Sequence, residues 1–236
     1  MASDNVPYNG YLLDLGFSPF NLSMQNSDNS DGIDFNNNPI ILKQFLFRKI
    51  VNKTLYYRIG LNLDYTSFSE ENPNEFEINK SSFLMGIETG FERHSSPSDK
   101  LSPYWGGLVG LQYETYKQNS KSTGDYFSEM ELDNAWISEN NWEYANDSDI
   151  VKRESTQVSV KGIIGCDYYF SKNIYLGIDA QYGLSMKMYP AVEAKIKTEN
   201  NQGDPDTNTN ELSGKASSLA FGKTARGMLH VGFKFK

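Results

Sequence analysis

Two histidines, a single cysteine and scattered serines are the residues of this 236-residue chain that could support covalent or metal chemistry. His94 or His230 could act as a general base, but hydrolysis needs a nucleophile, a base and an orienting group within hydrogen-bond reach. Ser81 and Ser82 share a segment with His94 yet lie at its opposite end, about a membrane thickness away in an extended chain. No catalytic residue is assigned, and His230 reads as a hydrogen-bonding residue of an interior face. Cys166 stands alone, which rules out an intrachain disulfide and a cysteine zinc cluster. In "GDPDTNTNE", Asp204, Asp206, Asn208 and Glu211 offer oxygen ligands of the kind calcium takes, but without the glycine and closing glutamate spacing of an EF-hand. That tract and "NDSD" at 146–149 read as solvated acidic loops, so no metal and no cofactor is expected.

The charged residues are informative because of where they fall. In "LYYRIGLNLDYTSF", Leu55, Tyr57, Ile59, Leu61, Leu63 and Tyr65 alternate with Tyr56, Arg58, Gly60, Asn62, Asp64 and Thr66. Successive side chains of a strand point to opposite faces, so one face is apolar and the other charged. At 3.6 residues per turn the same apolar residues would be scattered around a helix.

The elements that must position those charges repeat the pattern. Eight segments alternate in this way, at about 10–19, 40–48, 54–66, 81–93, 103–116, 155–170, 174–187 and 219–235, and form one domain over 1–236. The connections alternate long, short, long, short, long, short, long. All long loops then share one rim, as in an up-and-down barrel; a sandwich has no reason to impose this order. The chain contains no apolar run of about 18 residues, which excludes a helical span but not strands of about 9–11 residues.

Either face could be the wet one. A soluble barrel would turn the apolar face inward. The glycines decide for the reverse: Gly60, Gly86, Gly90, Gly106, Gly110, Gly165, Gly177, Gly183 and Gly232 all share the charged face, and a narrow eight-stranded interior needs that room. The expected lining is a polar network of Asp14, Arg48, Arg58, Asn62, Asp64, Glu88, Glu92, Glu114, Lys161, Asp167, Asp179, Lys187, Arg226 and His230, because unpaired charges there would be costly. Tyr11, Phe17, Tyr57, Tyr65, Trp105, Tyr113, Tyr168, Phe170, Phe233 and Phe235 are expected near the ends of the lipid-facing stripes, as interfacial girdles.

The formal charge of -8 lends no support to nucleic-acid binding. Much of the acid lies in the long loops: Asp28, Asp31 and Asp34; Glu70, Glu71, Glu75 and Glu77; then Asp125, Glu129, Glu131, Asp133, Glu139, Glu143, Asp147 and Asp149. Such a rim could meet divalent cations on lipopolysaccharide or steer a basic partner, and it also serves solubility. In "LDNAWISENNWEY", Trp136, Trp142 and Tyr144 are candidate contact residues of the third loop, with packing against the rim as the competing reading.

"YYRIGLNLDY", "PYWGGLVGLQYE" and the closing "LHVGFKFK" give the chain its resemblance to the outer-membrane β-barrel domain family of Gram-negative bacteria. It resembles OmpA-type and OmpX-type eight-stranded barrels, and particularly the small barrels of Bacteroidota. The resemblance implies an all-β, eight-stranded antiparallel up-and-down transmembrane β-barrel with four long extracellular loops and three short periplasmic turns. It implies a cell outer membrane location and contact with outer-membrane lipids and lipopolysaccharide. The expected role is structural or interactive and not enzymatic: a closed barrel presenting acidic loops, a candidate accessory subunit that meets another envelope protein through its loops or wall. A narrow channel for ions or small solutes is the alternative, and a lipid-modifying enzyme ranks below it.

Overall fold

The computed structural model describes residues 10–20, 42–72, 76–95, 100–122, 128–137, 149–199, 205–221 and 226–235. Fourteen strands fill most of these residues: β1 (Gly10–Phe20), β2 (Leu42–Ile50), β3 (Leu55–Asn72), β4 (Phe76–His94), β5 (Leu101–Ser122), β6 (Ser128–Asp133), β7 (Ala135–Ile137), β8 (Ile150–Arg153), β9 (Ser155–Tyr169), β10 (Ile174–Tyr189), β11 (Val192–Glu199), β12 (Pro205–Ser213), β13 (Ala216–Phe221) and β14 (Arg226–Phe235). Twelve belong to one sheet, and β7 and β8 form a separate pair.

The long strands pair antiparallel with their chain neighbours, β1 with β2, β2 with β3, β3 with β4, β4 with β5, and β9 with β10. Three further ladders join β5 to β9, β10 to β14, and β14 to β1. Short turns link them at one end. Asn52 closes the first by accepting from the backbone N–H of Thr54 and Leu55, and Ile174 O closes the last by accepting from Phe170 and Ser171.

Alternation separates two faces. Leu61, Leu63, Ile87, Val109, Val160 and Ile178 are exposed, whereas Arg48, Arg58, Glu92 and Asp167 between them are buried. On β3 the outward run from Tyr57 to Tyr65 spans nine residues, and on β5 the run from Trp105 to Tyr113 spans nine as well. Each stripe is aromatic at both ends and is the length of a tilted membrane strand. Of the ten aromatics expected at the girdles, nine are exposed, from Tyr11 to Phe235; the side chain of Phe17 lies outside the described residues.

The sequence reading needs correction beyond the membrane stripes. The third long connection holds β6, β7 and β8, and the fourth holds β11 and β12. β5 runs on to Ser122, and its outer part pairs with β6, which pairs with β11, which pairs with β12. Met130, Leu132, Ala135, Ile137, Val192 and Ala194 form a buried core there, with Ile150, Ile196 and Leu212 against it. The segment read as one strand at 219–235 is two, β13 and β14, and both pair with β10.

Candidate functional site

The enclosed face carries the charges, and its centre is Arg48. Strand parity turns Asp14 of β1, Arg48 of β2, Arg58 of β3, Glu92 and His94 of β4, Asp167 of β9, Tyr175 and Asp179 of β10 and His230 of β14 toward one another, all nearly inaccessible. Arg48 Nε donates to Asp14 Oδ2 at 2.9 Å, while Nη1 donates to Asp167 Oδ2 at 2.8 Å and Glu92 Oε2 at 3.1 Å. Its Nη2 donates to the Tyr175 hydroxyl at 2.8 Å, and Tyr175 in turn donates to Asp14. Arg58 Nη1 donates to Glu92 Oε1 at 2.7 Å and Asp179 Oδ2 at 3.0 Å. Glu92 therefore bridges both guanidinium groups. His230 Nε2 lies 3.1 Å from Asp167 Oδ1.

Toward the long-connection end a second cluster gathers at Glu88, which pairs with Lys161 and accepts from Gln44 Nε2 at 3.2 Å. A small gap of about 10 Å³, lined by Asn62, Glu88, Gln112, Gln157, Ser159 and Lys161, lies there, room for about one water. Asp64 and Glu114 are half-buried further out, where Tyr116 donates to Glu114. Lys187 is also half-buried, across from Gln157 and Ser218. Of the expected lining residues, Asp14, Arg48, Arg58, Glu92, Asp167, Asp179 and His230 meet in one cluster and Glu88 and Lys161 in another; the side chain of Arg226 lies outside the described ones.

Close packing makes the glycines necessary. A Cβ on Gly177 would meet His230 Nε2, and one on Gly232 would meet the Asp14 carboxylate and the Tyr175 ring. The interior is not purely polar, since Tyr104, Leu108 and Ile163 form an apolar cluster within it. Among the described residues, Arg58 Nε and Nη2, Gln44 Oε1, Gln181 Oε1, Tyr104 Oη and His230 Nδ1 are buried without a hydrogen-bond partner.

Sequence reasoning missed Ser102. Its Oγ is 2.7 Å from His94 Nδ1, and His94 Nε2 is 3.3 Å from Glu92 Oε2. The order serine, histidine, carboxylate is that of a hydrolytic triad. The packing is not: all three are buried, His94 is stacked on Tyr56 at 3.9 Å, and Glu92 serves two arginines. The alternation placed Ser102 at a turn, so its inward position gave no signal. Among the described residues there is no cluster of His, Cys, Asp and Glu able to hold a metal ion.

Of the loop candidates, Trp136 packs on the body of the protein. Its indole Nε1 donates to the carbonyls of Lys117 at 2.9 Å and Ser81 at 3.2 Å, and its ring meets Tyr116 edge-on. Trp142 and Tyr144 lie outside the described residues. The acid of the outer sheet is partly matched by lysine: Glu129 pairs with Lys197 at 3.4 Å, and Asp133 lies 3.7 Å from Lys117 and 4.0 Å from Lys195.

Residues 60–212 match the family described as "Putative OmpA-OmpF-like porin family". No curated protein matches the chain. Among solved structures, a major outer membrane protein from Thermus thermophilus is similar at 9% identity, with 96% of this chain and 99% of that chain covered and a TM-score of 0.39.

Proposed function

This chain belongs to the OmpA-OmpF-like porin family, and from that premise we propose that it is a self-plugged eight-stranded barrel that displays a folded β-platform outside the bilayer. It is a β-rich outer-membrane protein. The barrel reading is supported by the ladders, because β1, β2, β3, β4, β5, β9, β10 and β14 each have a partner on both sides and β14 returns to β1. Lipid offers the backbone no hydrogen bonds, so a spanning sheet must have no open edge.

The observation that carries the closed reading is the Arg48 cluster. Three carboxylates, a phenol and an imidazole surround one guanidinium with no accessible surface. A hydrated ion entering there would have to displace charge-assisted hydrogen bonds in a bore that eight strands leave just wide enough for side chains. The protein's role is therefore scaffolding. The rigid wall holds the outer sheet clear of the membrane, where it meets lipopolysaccharide or an envelope partner.

Purified protein reconstituted in planar bilayers at moderate salt is expected to give no reproducible conductance. A stable unitary conductance would favour the narrow channel instead. Heat-modifiable migration with insolubility in the absence of detergent is expected of the barrel, whereas a stable, monodisperse, detergent-free protein would sink it. Affinity purification from the native envelope after mild extraction addresses the accessory role, for which a stoichiometric partner is expected.

A further inference from the structure

We infer that the outward face of the short-turn rim binds anionic phospholipid headgroups of the periplasmic leaflet, through Lys49 and Arg93. The inference rests on the reading of the wall as a transmembrane barrel. The two ends of the protein carry charge differently. On the outer sheet Glu129 pairs with Lys197, and Asp133 lies near Lys117 and Lys195, so acid and base offset one another. At the short-turn rim Lys49, Lys53, Arg93, Lys100 and Lys172 are exposed. Glu92 and Asp167, on strands of that rim, point inward, where Arg48 takes both. Asp99 lies outside the described residues; among those described, no exposed carboxylate stands on this rim, and Lys49 and Arg93 have no ion-pair partner.

Register fixes the depth of the two cations. Lys49 of β2 stands directly across from Tyr57 of β3, and Arg93 of β4 directly across from Trp105 of β5. Tyr57 and Trp105 are the inner ends of the nine-residue outward runs, so both cations lie where the apolar stripe gives way to headgroups. Only β3 separates their strands, which sets them about 10 Å apart. Two long side chains can close that gap on one phosphate.

The surroundings select the ligand. Between the two cations β3 presents Leu55 and Tyr57, and the Tyr57 hydroxyl accepts from Thr89, which stands across from Ile59 and away from the turn. The floor of the site is therefore apolar. A soluble anion would gain the two charges but nothing from Leu55, Tyr57 and Trp105, whereas an anion joined to acyl chains gains both. A zwitterionic headgroup would bring its own ammonium to a rim that is already cationic.

Each cation near an anionic membrane surface strengthens binding about fivefold. Lys53, in the turn from β2 to β3, adds a third charge beside the pair.

Trp105 reports on the site, because it lies on the wall beside Arg93, whereas Trp136 is held at the outer rim. The full chain is reconstituted in phosphatidylcholine vesicles doped with dibrominated phosphatidylcholine or dibrominated phosphatidylglycerol, and quenching of tryptophan fluorescence is compared. The expected result is a relative affinity for the anionic lipid at least about fivefold above that for phosphatidylcholine. It should be lost in Lys49→Gln/Arg93→Gln and kept in Lys117→Gln/Lys195→Gln. Equal affinities in the parent protein, or a preference that survives the inner double variant, would overturn the site. If that variant does not insert, Trp105→Phe decides: the difference between the two lipids should vanish, and its persistence would place the anionic lipid elsewhere and overturn the site. Quenching of Trp105 by neither lipid would defeat the transmembrane reading itself, whereas equal quenching by both would defeat only the headgroup site.

Discussion

Asp14 of β1 stands directly across from Gly232 of β14, and its carboxylate fills the space that a side chain on Gly232 would need. The Tyr175 ring occupies the rest of that space. The ladder from β14 to β1 thus depends on a residue without a side chain at the point where the plug is most crowded.

Gly232→Ala should destabilise the protein by about 1–3 kcal/mol through overpacking. Gly107→Ala is the comparison, because its Cβ would find its nearest neighbours at 3.9 Å on the outer face; it should fall within about 0.5 kcal/mol of the parent. Urea unfolding from lipid vesicles, followed by tryptophan fluorescence, measures both. Equal effects would contradict the crowding of the interior.

Leu61 is 46% exposed and its neighbour Asn62 is 5% exposed, so adjacent positions on β3 test which face meets lipid. Leu61→Arg should cost about 2–4 kcal/mol if it lies near the bilayer midplane. Tyr57→Asp and Leu61→Asp should likewise impair insertion into vesicles, and Asn62→Asp should be milder. A soluble barrel would reverse the order.

Removing Arg48 strands three carboxylates, those of Asp14, Glu92 and Asp167, in a site with no solvent access. Arg48→Met should cost about 3–5 kcal/mol, the range for breaking a buried ion pair on one side. Lys117→Met breaks a pair with Asp133 whose lysine is 69% exposed, and should change stability by at most about 1 kcal/mol. Chemical denaturation of the two variants in the same detergent compares them.

The outer core should fail separately from the barrel. Leu132→Ala removes a fully buried side chain from the cluster with Met130 and Ala194, a change that costs about 2–5 kcal/mol in a packed core. Proteolysis of intact cells should cut the outer strands faster in this variant, because low local stability exposes backbone. Heat-modifiable migration of the remaining barrel should be unchanged. Loss of both together would mean that the platform and the wall fold as one unit.

The wall was readable from sequence because a half-buried strand writes its two faces into alternate letters, as Tyr57, Leu61 and Leu63 do against Arg58 and Asn62. β6 and β11 carry the same signal in "EMELD" and "VEAKIK", with Met130 and Leu132, then Val192, Ala194 and Ile196, on one face. It was masked by the intervening Glu and Lys, which read as hydrophilic loop. β12, "PDTNTNELS", has almost no apolar alternation and takes its structure from pairing with β11. Alternation put Asp14, Arg48, Arg58, Glu92 and Asp167 on one kind of face, but it could not give their connectivity, because strand register decides that Arg48, not Arg58, gathers Asp14 and Asp167. Ser102 was hidden because it read as part of a turn, whereas it is the second residue of β5.

β11 follows β10 after Pro190 and Ala191, yet it pairs with β6, a strand laid down some sixty residues earlier beyond β9. Local hairpins can close as they emerge, whereas this ladder must wait for the intervening loop entropy to be overcome. β9 and β10 lie between the two strands in the chain, and their own pairing shortens the free loop to be closed. The β6–β11–β12 extension is consequently expected to be a late product of assembly, and a chain stalled before it forms would leave β6 with an open edge.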